Sequence, residues 1–180
     1  MTMIETNRLL LRPWKTSDLI PFARMNRDTN VMEYFPSLLS EEESNAFAYQ
    51  IMQHFDLHGY GFWAVSEKTG CPFIGFIGLR LDTFEAPFTP AVEIGWRLAS
   101  AYWNKGYGTE GALAALQYGF KQLNLKEIIA FTPTINSRSR KLMEKIGLVH
   151  NPKDDFINPK LPEGHVLSQN VLYRIKNPND

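Results

Sequence analysis

The sequence lacks three features that would place a chain in a membrane or in an oxidising compartment. Its single cysteine, Cys71, rules out an internal disulfide and fits a reducing compartment. No apolar run approaches the length of a membrane span, and residues 1–12 lack the apolar core of a secretory signal. We therefore expect a cytoplasmic protein with no membrane partner.

An excess of charge and a set of metal ligands are also missing. The 19 basic residues balance the 19 acidic residues, so the overall charge gives no reason to expect nucleic acid as a partner. His54 and His58 lie on one predicted helix, but no third ligand accompanies them, and we expect no metal. A length of 180 residues suits one compact domain, residues 1–180.

A glycine-rich segment at residues 106–111 is the most informative feature that the sequence does contain. It follows a strand-like stretch at residues 91–98 and opens a helix-like stretch that runs to about Leu123. A strand, a glycine-rich loop and a helix together present unpaired backbone N–H groups to a phosphate, and glycine lacks the side chain that would block close approach.

The segment is therefore predicted to hold a pyrophosphate through its backbone. The predicted binding residues are Lys105, Gly106, Tyr107, Gly108, Thr109 and Glu110. The side chain of Lys105 either adds positive charge at this site or is a solvated loop lysine, and the sequence leaves both interpretations open.

The predicted secondary structure places antiparallel strands before a strand–helix–strand–helix unit. Helices are predicted at residues 16–27, 40–58, 106–123 and 136–146. Strands are predicted at residues 8–12, 62–66, 72–81, 91–98, 127–132 and 166–175, with a proline-rich loop at 151–164. Gly75 and Gly78 indicate a bulge or a bend in the third strand. One face of the third helix is predicted to carry Leu113, Leu116, Phe120 and Leu123.

Two common phosphate-binding folds do not fit the glycine segment. A dinucleotide-binding fold needs the strand to run directly into the glycines, whereas residues 99–105 intervene. It also needs an acid at the end of the next strand, where this sequence has Phe131-Thr132-Pro133. A P-loop would need Gly-Lys-Ser/Thr after the glycines. The remaining pyrophosphate carrier in wide use is coenzyme A.

Several segments resemble a GNAT N-acetyltransferase. They are VEIGW at residues 92–96, YWNKGYGTEG at 102–111 and NSRSRKLMEKIGL at 136–148. ETNRLLLR at residues 5–12, LPEGH at 161–165 and VLYR at 171–174 resemble the ribosomal-protein N-acetyltransferase-like branch. The resemblance covers nearly the whole chain. It implies a GNAT-like α/β fold, with a mixed, mostly antiparallel, splayed sheet flanked by helices. It also implies transfer of an acetyl group from acetyl-CoA to an amine.

The resemblance assigns further parts of a cofactor site. The strand that ends at residues 96–98 would bond to the amide-built pantetheine arm as another strand would. Asn136 would bond to the arm from the other side, cap the following helix, or do both. A backbone N–H near Leu98 is the candidate donor to the oxyanion. The implied residues beyond the glycine segment are Trp96, Arg97, Leu98, Asn136 and Ser139.

Two residues are candidates for moving protons. Glu93 receives the proton of the attacking amine through water, or it is a structural carboxylate on its strand. Many members of the family use a tyrosine to protonate the departing thiolate, but this sequence has Met143 at that position. The ribosomal-protein branch instead uses a serine earlier in the helix, and Ser139 matches it, although it is also readable as an exposed helix serine.

The absence of that tyrosine leaves a rival hypothesis open, a non-catalytic acyl-CoA-binding or regulatory module of the same fold. A dinucleotide-dependent oxidoreductase is a weaker rival, for the reasons given above. The acceptor amine is left open between a protein N-terminus and a small molecule, and a homodimer is one option for the assembly.

Overall fold

A computed structural model describes residues 2–178, so Met1, Asn179 and Asp180 lie outside the described residues. The helices are α1 (Leu19–Met25), α2 (Glu41–His58), α3 (Tyr107–Lys121) and α4 (Ser137–Lys145). The strands are β1 (Ile4–Glu5), β2 (Leu9–Arg12), β3 (Phe62–Glu67), β4 (Gly75–Asp82), β5 (Ala91–Leu98), β6 (Glu127–Pro133), β7 (Val149–His150), β8 (Phe156–Ile157) and β9 (Gln169–Lys176). Short 3₁₀ turns occur at Thr16–Asp18, Ser100–Tyr102 and Pro152–Asp154.

The strands form one mixed sheet in the order β1-β2-β3-β4-β5-β6-β9-β7, with β8 also paired to β9. Every neighbouring pair is antiparallel except β5 and β6, which run parallel. That parallel pair is joined at one position, Glu93 opposite Ile129, and the strands separate beyond it. The structure therefore confirms the predicted mixed, mostly antiparallel and splayed sheet flanked by helices.

Local signals in the sequence set the two N-terminal helices. The Oγ of Ser40 accepts a hydrogen bond from the backbone N–H of Glu43, and the Glu43 carboxylate accepts one from the N–H of Ser40, which is the predicted capping box. Gly59, with φ of 78°, ends α2 in the left-handed conformation. Before α1, the carboxylate of Asp18 accepts two 2.8 Å hydrogen bonds from the buried guanidinium of Arg12.

Glycines let β4 pack tightly between its neighbours. The N–H of Ile74 donates to the Val65 carbonyl, although Val65 pairs with Gly75, so two residues oppose one. This is the predicted bulge. A Cβ on Gly75 would lie 2.1 Å from the Arg97 carbonyl oxygen, so a side chain there would push β5 away.

The buried face of α3 differs from the predicted one. Leu116 and Phe120 are buried as expected, but Leu113 is 47% exposed. Small residues take the place nearest the sheet, because a Cβ on Gly111 would lie 2.5 Å from Ile77 Cδ1 and one on Gly119 would lie 2.7 Å from Ile128 Cδ1. The helix axis is thereby held close to the sheet, and the predicted leucine face is rotated partly into solvent.

The C-terminal region has more structure than the sequence predicts. The predicted loop at 151–164 contains a 3₁₀ turn and β8, and the last strand begins at Gln169 rather than at Val166. The strand starts later because the N–H of Ser168 donates to the carbonyl of His165 and closes a turn. Val166 is accordingly 74% exposed.

Candidate functional site

A groove of about 780 Å³ opens where β5 and β6 separate. We call one part of it the helix end, which consists of residues 106–109 at the start of α3 together with the start of α4. We call the other part the arginine end, which is formed by Arg80, Glu93 and Arg97. Residues 31–36 and 158–161 border the groove.

The start of α3 offers free backbone donors at the helix end. Gly106 is the N-cap and has φ of 81°, a conformation that favours glycine. Within residues 2–178, no acceptor takes the N–H groups of Tyr107, Gly108 or Thr109. These donors lie at the positive end of a 15-residue helix, so they favour an anion.

Two residues predicted for this binding loop lie differently from the prediction. The N–H of Glu110 donates to the Gly106 carbonyl, so it is used by the helix itself. The Glu110 carboxylate binds Thr6 and Arg8 at 2.6 and 2.7 Å, outside the groove. Lys105 is exposed and does not line the groove, and its Nζ lies 5.1 Å from the centre of the Tyr102 ring.

Arg8 supports the glycine-rich loop from outside the groove, a role that the sequence analysis missed. Its guanidinium donates to the carbonyl oxygen of Lys105 at 2.9 Å and lies 4.6 Å from the centre of the Tyr107 ring. Burial raises the pKa of Glu110, but hydrogen bonds from Thr6 and Arg8 outweigh it, so the net pKa is lowered. This charged pair ties the N-terminal strand region to the loop.

The edge of β5 that faces β6 carries backbone groups for a ligand. The N–H of Ala99 donates to the Ile74 carbonyl, and backbone groups alternate along a strand, so those of Trp96 and Leu98 point away from β4. The ladder to β6 has already ended at Glu93. The Leu98 carbonyl accepts a 2.8 Å hydrogen bond from the Trp103 indole, whereas no described residue accepts one from the Leu98 N–H.

Asn136 caps α4, and Ser139 lies one turn later. The Asn136 side-chain oxygen accepts from the Ser139 N–H at 3.1 Å, and its amide nitrogen donates to Thr132 Oγ1 at 2.9 Å. One amide N–H is therefore left for a ligand. Ser139 is half-buried and lines the groove, and its hydroxyl makes no hydrogen bond within the described part of the chain. Met143 occupies the position where many members of the family have a tyrosine. It is buried and lines the same groove.

A buried charge cluster surrounds Glu93 at the arginine end. Arg80 Nη2 lies 2.8 Å from Glu93 Oε2 and 3.0 Å from Asp82 Oδ1, so two carboxylates share one cation. Burial raises the pKa of Glu93 well above its usual value of 4.5; Arg80 lowers it and the neighbouring Asp82 raises it further. A carboxylate whose pKa is raised is a stronger base than an ordinary one, as a proton acceptor requires.

Arg97 lies on β5 four residues after Glu93. Its guanidinium donates to Asn26 Oδ1 at 2.7 Å and lies 4.0 Å from the centre of the Phe35 ring. The sequence analysis assigned Arg97 to the cofactor edge through its backbone. The register opposite Phe76 instead directs the side chain toward α1 and α2, where it lines the groove.

The structure brings most of the predicted site residues into one groove and adds others. Of the predicted set, Lys105 and Glu110 do not line it. Arg80, Trp103 and Arg138 line it but were not predicted. The contact between Arg80 and Glu93 could have been predicted from the pairing of β4 with β5. The two residues lie directly opposite each other, and opposite charges favour such cross-strand pairs.

The described residues contain neither a metal-ligand cluster nor a membrane-spanning helix. Within residues 2–178, no group of three or more potential ligands is arranged to hold a metal ion. Across the same residues, no helix is both long enough and apolar enough to cross a membrane.

Comparison with known proteins gives a consistent family. The family model described as "Acetyltransferase (GNAT) domain" matches residues 8–149. The chain is similar to an uncharacterized N-acetyltransferase, YnaD, of Bacillus subtilis (strain 168), with 32% identity over 173 residues, which are 96% of this chain and 95% of the relative.

Solved structures agree on the fold. A GNAT-family acetyltransferase from Bacillus anthracis superposes with a TM-score of 0.80 at 29% identity and covers 98% of this chain and 99% of its own. The spermidine N-acetyltransferase of Vibrio cholerae, solved with CoA and spermine, superposes with a TM-score of 0.71 at 22% identity. It covers 94% of this chain and 95% of its own, and at that identity it shows the fold alone.

Proposed function

This chain belongs to the GNAT family of acetyltransferases, and from that premise we propose that it transfers the acetyl group of acetyl-CoA to an amine. The reaction is direct attack: the amine nitrogen bonds to the thioester carbon, the carbon–sulfur bond breaks, and CoA leaves as the thiol. The protein acts as a single domain in the cytoplasm, and a homodimer is the assembly we propose to test.

One observation carries the proposal, namely that the free edge of β5 and the free N–H groups of α3 open into the same groove. A diphosphate at the N–H groups of residues 107–109 would leave an amide-built arm beside Trp96 and Leu98. The absence of a side chain at Gly106 and Gly108 fits a close approach of phosphate. The spermidine N-acetyltransferase of Vibrio cholerae, which was solved with CoA, supports the same class of ligand.

The groove residues have a role for each chemical need. The N–H of Leu98 is the proposed donor to the oxyanion, and a single donor of this kind contributes about 3 kcal/mol. Glu93 is the proposed acceptor of the amine proton through water, and Ser139 is the proposed donor to the sulfur. The amine must be neutral to attack. That costs about 1.4 kcal/mol at pH 7 for an α-amine of pKa about 8, and roughly 4.6 kcal/mol for a lysine of pKa about 10.4.

The acceptor within this proposal is a protein N-terminal α-amine or a small-molecule amine. The lower cost of neutralising an α-amine favours α-amines and other weakly basic amines over a lysine side chain. The motifs at residues 5–12 and 161–174 keep the ribosomal-protein-like branch of the family as part of the proposal.

The direct test is to incubate the protein with acetyl-CoA and a panel of amines and to measure free thiol. Amine-dependent thiol release is expected, with an amine-free sample as the control. Tight acetyl-CoA binding without thiol release from any amine would instead favour the non-catalytic module, to which Met143 in place of the expected tyrosine lends support. Titration with NADH in parallel tests the oxidoreductase.

A further inference from the structure

Arg97 is a buried cation without a neutralising carboxylate. Its side chain is 8% exposed, and no ion pair within residues 2–178 includes it. Burial lowers its pKa to about 9, which still leaves the guanidinium charged at pH 7. Burying a charge without a counter-charge is costly, so this arrangement is better explained by a ligand than by stability.

Arg12 shows how the same fold treats a buried arginine that has a structural role. It is 6% exposed and binds both oxygens of Asp18 at 2.8 Å. Arg97 has one hydrogen bond, from Nη1 to Asn26, while its Nε is buried without a partner. No described residue accepts a hydrogen bond from Nη2 of Arg97 either. Its Nε–Nη2 edge therefore has no acceptor among the described residues, and an edge of this geometry binds a carboxylate through two parallel hydrogen bonds.

The groove as a whole is cationic although the chain is neutral. Its wall carries one acidic side chain, Glu93. The basic side chains of the same wall are Arg80, Arg97, Arg138, Lys141, Lys145 and Lys160. Arg80 is paired with Glu93 and Asp82, and Arg138 is paired with Glu33. The other four form no ion pair within residues 2–178. Such a wall attracts an anionic ligand and repels a polycationic one.

Aromatic rings surround the guanidinium of Arg97. The ring centres of Phe35, Phe47 and Phe76 lie 4.0, 5.4 and 5.6 Å from its central carbon. Rings at such distances stabilise a cation without neutralising it. Because Arg97 and all three rings line the groove, a ligand there meets one fixed positive charge beside an apolar wall.

We propose that the acceptor is a small amine that carries a carboxylate, and that Arg97 binds this carboxylate while Phe35, Phe47 and Phe76 contact an apolar side chain. This inference rests on the proposed function and narrows its acceptor to a free amino acid or a compound of that type. We expect a polyamine to be a poor acceptor, because the unpaired cations of the wall repel it.

The kinetic test compares free amino acids with their amides, beginning with phenylalanine and phenylalaninamide. The wild type is expected to prefer the free acid by at least tenfold in kcat/KM. The Arg97→Gln variant should reduce that acid-to-amide ratio by tenfold or more, and Arg97→Lys should retain part of it. Taking the ratio within each variant cancels any general loss of folding or of amine reactivity. An unchanged ratio in Arg97→Gln would overturn the proposal.

A binding test separates this inference from the proposed function. N-acetylphenylalanine and N-acetylphenylalaninamide are titrated into CoA-loaded protein by calorimetry. Tighter binding of the acid, lost in Arg97→Gln and partly kept in Arg97→Lys, supports the carboxylate site even if no amine is acetylated. Equal binding of the two compounds to the wild type contradicts it even if thiol release is observed.

Discussion

The two ends of the groove are built from different parts of the polypeptide. The helix end relies on backbone N–H groups of residues 107–109, which belong to one short stretch of sequence. The arginine end relies on side chains from β4 and β5, which meet through the cross-strand register of Arg80 with Glu93 and of Phe76 with Arg97. Backbone donors recognise any suitable anion, whereas side chains set which acceptor fits. The proposed function therefore assigns a general role to the helix end and a selective role to the arginine end.

The division between the two ends is tested most severely at Glu93. The Glu93→Gln variant is expected to lower kcat/KM by a factor of about 10² to 10⁴, the usual contribution of a general base. Its affinity for acetyl-CoA, measured by calorimetry, should stay within about twofold of the wild type, because Glu93 lies away from the helix end. Glu127→Gln is the matched control, since Glu127 also binds an arginine, Arg174 at 2.7 Å, but lies outside the groove. Nearly full activity of Glu93→Gln would remove the base from the mechanism.

The same variant gives a test of stability against pH. The raised pKa of Glu93 means that the folded protein binds this proton more tightly than the unfolded chain does. The stabilisation is therefore complete below pH 4.5 and is lost as the pH rises through the raised pKa. Urea unfolding between pH 5 and 9 should show the wild type losing stability relative to Glu93→Gln as the pH rises. A difference that stays constant over this range would show that Glu93 is ionised throughout.

The helix end is tested at Gly106. Gly106→Val places a side chain at the start of α3, 3.2 Å from Arg8 Nη2, in a backbone conformation that disfavours it. The dissociation constant for acetyl-CoA should rise about 10- to 100-fold, which corresponds to about 1.4 to 2.8 kcal/mol. Gly164→Val has a similar backbone, with φ of 75°, and no atom near the added Cβ, so it should change stability but not affinity. Equal losses of affinity in both variants would rule out a specific role for Gly106.

Ser139 tests whether the helix end also takes part in chemistry. Ser139→Ala keeps the backbone N–H that Asn136 accepts from, so α4 retains its cap. The expected result is a kcat lower by about tenfold with unchanged affinity for acetyl-CoA. The effect is modest because a thiolate is a better leaving group than an alkoxide and depends less on protonation. Ser137→Ala, at an exposed position of the same helix, is the control. A kcat equal to that of the wild type would show that water supplies the proton.

Trp103 gives the smallest expected effect. Trp103→Phe removes the indole N–H that donates to the Leu98 carbonyl. Losing this hydrogen bond costs about 1 kcal/mol of free energy, so acetyl-CoA binding should weaken about fivefold. Trp14 does not line the groove, and Trp14→Phe removes a similar 2.7 Å hydrogen bond from its indole to the Phe62 carbonyl. Both variants should lose comparable stability in urea, and only the first should lose affinity. If Trp14→Phe weakens binding equally, the effect of Trp103 is general stability.

The helix end was predictable from the sequence because its signals are local. Gly106 and Gly108 identify free backbone donors, and Asn136 identifies a helix cap, without any knowledge of distant residues. The exceptions have physical causes. Glu110 falls one residue too far into the helix, so its N–H is already bonded to Gly106. Lys105 points outward before the helix begins.

The arginine end was predictable only in part because its members are distant in sequence. Arg80 could have been found from the hairpin register opposite Glu93. The environment of Arg97 depends on Asn26 and Phe35, which precede it by more than 60 residues and come from the α1 region. Similarly, Leu113 was assigned to the buried face of α3 because periodicity does not reveal how closely Gly111 and Gly119 bring that helix to the sheet.

The one-residue ladder between β5 and β6 also bears on self-association. An unpaired strand edge attracts strands from other molecules and promotes aggregation. Here the two free edges face each other across a groove that α3 and α4 border, so they lie inside the sheet and not at its rim. The fold thus leaves a strand edge free for a narrow ligand while placing it where pairing with a strand of another molecule is disfavoured.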